Sequence, residues 1–186
     1  MAGLPHYRNS QAAVNHWEPV YQSMFELTLF VPTGGASSIL LLEHVKSISG
    51  LDDLNPSVSL TEQKYKQATR SYAGLPEKTT LDLSVVFTMN LDFNNENYIY
   101  TTLRRWTNKI WDPLTGASGM KRDYVGSGII VQYNRDGSIY RKIVLQDTFP
   151  TGQLSVGGEL SYDNYEAAEA TLNLRSDCWD EQLIGL

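Results

Sequence analysis

Few residues of this 186-residue chain are of the types that most often act in catalysis or bind metals. Their spacing does not match a catalytic or metal-binding motif. The histidines His6, His16 and His44 share no i, i+3 or i+4 spacing, and one cysteine, Cys178, cannot build a thiolate cluster. Because a zinc centre needs several convergent nitrogen or sulfur ligands, the sequence predicts no metal and no cofactor. Cys178 lies in an alternating segment, so we expect a packed thiol rather than a reactive one.

Two glycine-rich segments match catalytic loops only in part. Ser127 lies between two glycines, but it lacks the Gly-x-Ser-x-Gly pattern of a nucleophile elbow, and a strand is predicted after it. The stretch Gly116–Gly119 is not followed by the Lys-Ser/Thr pair of a phosphate-binding loop. We therefore assign no catalytic residue, and an enzyme is the least favoured class.

Composition argues against a nucleic-acid-binding surface. The net charge is −6 and the pI is near 5.0, whereas surfaces that bind nucleic acid are normally basic. Eleven tyrosines and four tryptophans are typical of protein interfaces, although aromatic residues also suit strands. No segment approaches the roughly 20 apolar residues of a membrane-spanning helix, and the first residues do not resemble a signal peptide. We expect synthesis in the cytoplasm without membrane insertion.

Alternation of apolar and polar residues predicts that most of the chain forms about six to eight strands. The clearest segments are 24–31, 80–89, a hairpin over 128–145 and a final stretch over 168–179. One helix is predicted over 95–111. Its apolar residues at helical spacing are Ile99, Leu103, Trp106 and Ile110. The predicted fold is mainly β, an antiparallel β-sandwich or barrel flanked by one long α-helix.

The chain divides into an N-terminal arm over residues 1–23, one β-barrel domain over 24–180 and a C-terminal tail over 181–186. Residues 57–80 are polar on both faces of any strand that they could form. Such a strand is poorly held by its own domain. We therefore predict a projecting hairpin that pairs with another subunit, with a loose surface loop as the alternative. In the arm, His16 and Trp17 are predicted to be interface contacts.

Several carboxylates fall in or near strands, on the side opposite to the apolar residues. Those that could face a lumen are Asp82, Glu166 and Glu169. On an isolated sheet they would only be solvated. In a closed ring they would line a negative channel that keeps a polyanion from adhering.

The order of these landmarks resembles the tail tube proteins of contractile-tailed bacteriophages and the related inner tubes of contractile injection systems. The resemblance runs from Phe25 to Trp179, and its most specific part is the Phe149-Pro-Thr turn followed by Glu159-Leu-Ser-Tyr-Asp-Asn164. The other landmarks are the first strand 25–29, the proline loop 54–56, the polar hairpin 64–80, the strand 80–89, the helix end 105–111 and the hairpin 132–137.

The resemblance implies a structural subunit of the virion tail, assembled in the cytoplasm of the host bacterium. Six copies would form a ring, and stacked rings would form the conduit for genome ejection, with sheath, baseplate and tail terminator proteins as partners. Tape-measure protein and DNA would pass through the lumen without specific binding. By this analogy the hairpin contacts neighbouring subunits or rings through Lys64, Tyr65, Lys66, Gln67, Arg70 and Tyr72.

Two features depart from the family pattern, namely the longer N-terminal arm and a Gly-rich insertion over 115–121. Alternatives within the structural class are a baseplate tube initiator and the inner tube of a contractile injection system. From a different class, a monomeric ligand-binding β-barrel would have a dry apolar pocket.

Overall fold

A computed structural model describes residues 21–32, 44–54, 57–77, 79–89, 98–157, 163 and 166–184. It contains one curled antiparallel sheet that forms a half-barrel, a separate two-stranded ribbon and few helical residues, so the predicted fold class is confirmed. The strands are β1 (Phe25–Phe30), β2 (Val45–Ser49), β3 (Ser57–Tyr65), β4 (Ala68–Glu77), β5 (Leu81–Thr88), β6 (Gly126–Tyr133), β7 (Ile139–Pro150), β8 (Ser155–Val156) and β9 (Glu169–Leu183). The helices are α1 (Tyr98–Ile110) and α2 (Lys121–Tyr124), and a 3₁₀ turn spans Leu51–Leu54.

The main sheet has the order β1-β6-β7-β9-β5-β2, with β8 paired to β9. Strand β9, which has 15 residues, pairs with β5 along its first half and with β7 along its second. The two pairings overlap over residues 174–176, where for example Ser176 has Leu81 on one side and Thr148 on the other. Among the described strands, β1 and β2 form the two edges of the sheet.

In the core, the apolar residues of alternate strand positions meet one face of α1. The spacing of Ile99, Leu103 and Trp106 places all three on that face, and each is at most 1% exposed. Trp106 also donates a hydrogen bond from Nε1 to the carbonyl oxygen of Tyr124 over 2.7 Å. This bond ties α1 to the segment that enters β6. Neither described helix is long and apolar enough to cross a membrane.

The helix α1 lies within the predicted range 95–111, and β3 and β4 lie within the predicted hairpin range 57–80. Strand β9 continues to Leu183, so residues 181–183 belong to the sheet and not to a tail. The reason is that β7 offers them partners, including the pair Ile143 and Glu181. Of the predicted arm, the structure describes residues 21–23, and the rest lies outside the described residues.

The expectation for Cys178 is wrong, because its side chain is exposed. Regular alternation would place Cys178 on the buried face with Leu174 and Ser176, but Trp179 is buried instead, at 5% exposure. The change of face coincides with an irregularity in the neighbouring strand, where Asp147 has a positive φ of 50°. The strand pair therefore twists locally and exchanges its inner and outer residues.

Two matched leucine substitutions test which elements hold the core. Leu83 is 2% exposed and Leu60, in β3, is 71% exposed. We expect Leu83→Ala to lower the free energy of unfolding by about 2 to 5 kcal/mol through lost burial and a cavity, and Leu60→Ala to change it by less than about 0.5 kcal/mol. Urea unfolding of the dilute protein measures both. An equal loss for Leu60→Ala would show that the ribbon packs on its own domain.

Candidate assembly interface

Strands β3 and β4 form a ribbon that projects from the domain. They are joined by the two-residue turn Lys66-Gln67, and the nine residues of β3 at about 3.3 Å each give a length near 30 Å. Every residue from Val58 to Ala73 is exposed, and the two strands pack extensively only on each other. A two-stranded hairpin without a packed face is only marginally stable in water. Packing against a surface outside its own chain would therefore stabilise the ribbon.

One face of the ribbon is rich in tyrosine and arginine, and we name it the Tyr/Arg face. The strand register places its members on the same side of the ribbon. They are Thr61, Gln63, Tyr65, Ala68, Arg70 and Tyr72. The Arg70 guanidinium lies 5.7 Å from the centre of the Tyr65 ring, a cation–π arrangement, and the Tyr65 hydroxyl donates a hydrogen bond to Gln63 Oε1 over 3.0 Å. These contacts favour one arrangement of the three exposed side chains.

The opposite face, which we name the Glu/Lys face, has a different chemistry. It consists of Leu60, Glu62, Lys64, Thr69, Ser71 and Ala73. Tyrosine and arginine are over-represented among the residues that contribute most to protein–protein binding, whereas lysine and glutamate are depleted at interface centres. The Tyr/Arg face is therefore the better candidate for a buried contact.

The six residues predicted to contact neighbours do not share one surface. The structure places Tyr65, Arg70 and Tyr72 on the Tyr/Arg face, Lys64 on the Glu/Lys face, and Lys66 with Gln67 at the tip. Their contacts with other subunits stay a prediction. His16 and Trp17 lie outside the described residues.

The predicted lumen residue Asp82 forms a two-pronged ion pair on the outer face of the sheet. Arg175, opposite it on β9, donates hydrogen bonds from Nε and Nη2 to the two carboxylate oxygens, each over 2.7 Å. These bonds and the positive charge lower the pKa of Asp82 below its ordinary value of 3.8, against a smaller opposing effect of burial. They also raise the pKa of Arg175. Both side chains stay about half exposed.

The predicted lumen residue Glu169 is also paired, in this case with Lys46 of β2. The hydrogen bond from Lys46 and the charge of Glu169 raise the pKa of the lysine, and the nearby charge of Glu166 adds to this effect. Two of the three candidate carboxylates are thus matched by cations on the same side of the sheet. Whether this face lines a channel stays a prediction.

The loop after α1 is an ordered feature that the sequence reasoning left without a role. Asp112 accepts hydrogen bonds from the backbone N–H of Leu114 over 3.0 Å and from the Thr115 hydroxyl over 2.7 Å. These two bonds, the side-chain one first, lower the pKa of Asp112. The turn presents Leu114 with 94% of its surface exposed. The run Asp-Pro-Leu-Thr-Gly is a turn signal that could have predicted this geometry.

Among the residues that the structure describes, no three His, Cys, Asp or Glu side chains are grouped so that they could hold a metal ion. The described residues form two distinctive surfaces. One is the ribbon with its two unlike faces, and the other is the outer face of the sheet, where carboxylates form ion pairs. Such surfaces suit binding between proteins better than bond-making chemistry.

No known protein-family model matches the sequence, and no curated protein matches it. Solved structures match along nearly the whole chain. A chain of the anti-feeding prophage (AFP) cap, which terminates the AFP tube, is 17% identical over 90% of this chain and 93% of its own, with a TM-score of 0.55. A chain of the sheath–tube complex of PVC, an extracellular contractile injection system, is 17% identical over 94% and 97%, with a TM-score of 0.54. A chain of the PVC sheath/tube terminator is 14% identical over 90% and 99%, also with a TM-score of 0.54.

The chain therefore has the fold of tube and tube-terminator proteins of contractile injection systems. The predicted resemblance to tail tube proteins is confirmed at the level of the fold.

The two faces of the ribbon can be distinguished by single alanine substitutions on the same strand. We expect Tyr72→Ala to weaken self-association about tenfold or more, because a buried tyrosine anchor is lost, and the adjacent Ser71→Ala, on the Glu/Lys face, to change it less than about threefold. Sedimentation velocity over a concentration series measures the association. Equal effects of the two substitutions would contradict a one-sided contact.

The pairing of Asp82 predicts a pH-dependent contribution to stability. Because Arg175 lowers the folded-state pKa of Asp82, the ionised carboxylate stabilises the fold above the ordinary value of 3.8, and this contribution is lost as the pH falls through the lowered folded value. We expect Asp82→Asn to reduce the free energy of unfolding at pH 7 by about 0.5 kcal/mol, a value typical of exposed pairs.

Urea titrations of the wild type and Asp82→Asn at a series of pH values measure this difference, which should vanish in strong acid. Repeating the pH 7 measurement at about 1 M salt is the control, because salt screens an exposed pair. A difference that persists in strong acid would exclude the ion pair as its source.

Proposed function

We propose that the chain is the structural subunit of a hollow tail tube. Six copies close into a ring, rings stack into a tube, and a contractile sheath surrounds the tube. The fold supports this proposal, since the matched chains come from sheath–tube and tube-terminating assemblies and are covered over 93% to 99% of their own length. The role is structural, with no catalytic step.

The observation that carries the proposal is the ribbon of β3 and β4. Its residues from Val58 to Ala73 are all exposed, yet one face is built from tyrosine and arginine side chains that contact each other. In a monomer such a ribbon adds little stability, and its free strand edges favour aggregation. In a ring or stack, the Tyr/Arg face covers part of a neighbour, and the ribbon becomes part of a larger packed structure.

The finer proposal is a phage tail tube that conducts the genome during ejection. The subunit is assembled in the bacterial cytoplasm and resides in the virion tail, where it also meets the baseplate and the tail terminator. The net charge of −6 supports passage of DNA and tape-measure protein without adhesion, because an acidic wall repels a polyanion. The pairs formed by Asp82 and Glu169 reduce the negative charge of the outer sheet face, so the repulsion is mild wherever that face lines the lumen.

A second candidate is a tube-terminating subunit, favoured by the AFP cap and the PVC terminator, whose TM-scores equal those of the tube complex within 0.01. The inner tube of an injection system and a baseplate tube initiator are further candidates that the same fold would serve. These roles differ in how many rings the chain forms and in the neighbouring genes. A phage subunit is encoded near capsid and terminase genes, whereas an injection-system tube is encoded near an ATPase and toxin cargo.

Electron microscopy of the purified chain, alone and with its baseplate partners, tests the proposal. We expect rings with sixfold symmetry that stack into tubes, and light scattering should give six times the 20.9 kDa mass of one chain for a single ring. Long tubes indicate a tube subunit, and single rings that bind only a tube end indicate a terminator. Monomers under every condition would contradict both and would favour the monomeric ligand-binding barrel.

A further inference from the structure

The pairing of β3 with β4 is interrupted once, close to the root of the ribbon. Val58 of β3 pairs with Pro76 of β4, and the next register pair is Leu60 with Ala73. Between these pairs β3 has one residue, Ser59, whereas β4 has two. Two residues opposite one form a β-bulge, which bends the strand and increases its local twist. This irregularity, which we name the root bulge, therefore bends the ribbon between its root and its tip.

Within the root bulge, Gly74 lies directly against Ser59 of the opposite strand. A Cβ atom at Gly74 would lie 2.9 Å from the carbonyl oxygen of Ser59, and closer still to its Oγ. The hydroxyl group can rotate away, but the backbone oxygen moves only if the two strands separate. Gly74 is not among the glycines with a positive φ. Glycine is therefore required here for the close approach of the two backbones.

The root bulge lies where a bend has the largest effect on the direction of the ribbon. Leu54, before β3, is 2% exposed and Leu81, the first residue of β5, is 0% exposed, so both are anchored in the core. Among the described elements, β3 and β4 pack extensively only on each other. Beyond the root bulge, the six residues 60–65 extend for about 20 Å. The direction of this lever is therefore set at its root and not by packing along its length.

The root bulge is not needed to keep the two faces of the ribbon apart. The two-residue turn fixes the pair Tyr65 and Ala68, and regular alternation continues from there to the pair Leu60 and Ala73. If Gly74 were deleted, positions 73 and 76 would be two residues apart, as positions 58 and 60 are in β3. The pairing would then be regular throughout, and neither face would turn over. What the extra residue adds to the ribbon is the bend.

We propose that the root bulge directs the Tyr/Arg face towards the next copy of the chain, with Gly74 as a positioning residue for assembly. This inference rests on the proposed function, because it requires that copies associate through the ribbon. A surface at the end of a lever of about 20 Å meets its partner only over a narrow range of directions. Gly74 acts through the bend and thereby fixes the geometry between successive copies.

Sedimentation velocity of the full-length chain tests this inference through self-association. We expect deletion of Gly74 to weaken association about tenfold or more, because the misdirected Tyr/Arg face loses its contact. Gly74→Ala should weaken it by a smaller factor, since the added Cβ opens the root bulge. The matched control Ala73→Ser adds one atom at the adjacent exposed position on the Glu/Lys face and should change association less than about threefold. Association of the deletion variant within about threefold of the wild type would overturn the inference.

A second substitution separates a positioning role from a merely structural one. If the root bulge acts by directing the Tyr/Arg face, adding Tyr72→Ala to the deletion of Gly74 should weaken association by less than about threefold further, since the contact is already lost. A further tenfold loss would contradict the inference, because the two changes would then act on separate contacts.

A distance measurement on the dilute monomer tests the bend without any assembly. In a Cys178→Ser background, spin labels at Gln67→Cys on the tip and at Asn173→Cys on β9 report the tip-to-sheet distance by pulsed electron paramagnetic resonance. We expect deletion of Gly74 to move a single distance population by about 5 Å or more, since about 20 Å of ribbon lie beyond the root bulge.

The possible results separate this inference from the proposed function. An unchanged distance would overturn the inference. A broad distance distribution would overturn it as well, because the root bulge would then hold the strands together instead of directing them. A wild type that does not associate at any concentration would contradict the proposed function, whereas a deletion variant that associates like an associating wild type would contradict only the role of the root bulge.

Discussion

Strand β9 holds the fold together because it pairs with β5 along its first half and with β7 along its second. These pairings join the two edges of the half-barrel through one continuous backbone. The buried apolar residues of the described strands then form one cluster, to which α1 contributes Ile99, Leu103 and Trp106. Pairing between strands far apart in the sequence stabilises the domain only after the chain between them has been ordered. The domain is therefore expected to fold as one unit.

With the interior occupied by side chains, the features left for function are at the surface. The ribbon of β3 and β4 has no core of its own, and its Tyr/Arg face has the composition of a binding surface. The outer sheet carries Asp82 and Glu169 in ion pairs that keep this face polar without a strong charge. Both features are consistent with the proposed assembly, in which further copies of the chain would contact these surfaces.

Local sequence patterns are enough to predict the main strands and the helix. They do not predict which residues far apart in the sequence become partners in the sheet. Helical spacing of Ile99, Leu103 and Trp106 is enough to define the buried face of α1. Asp82 was recognised as an outward carboxylate, but its partner Arg175 lies 93 residues away, and no local pattern joins them. The exchange of faces at Cys178 and Trp179 depends on the neighbouring strand at Asp147, which period-two counting cannot detect.

In the proposed tube, the two unlike faces of the ribbon would also determine the direction of growth. A contact between the Tyr/Arg face and a different surface on the next copy is head-to-tail, and it cannot satisfy a two-fold axis. Repetition of such a contact gives a polymer whose two ends expose different surfaces. Growth from one end and arrest at the other then require two distinct partners, one that offers the missing surface at the start and one that covers the unused surface at the finish.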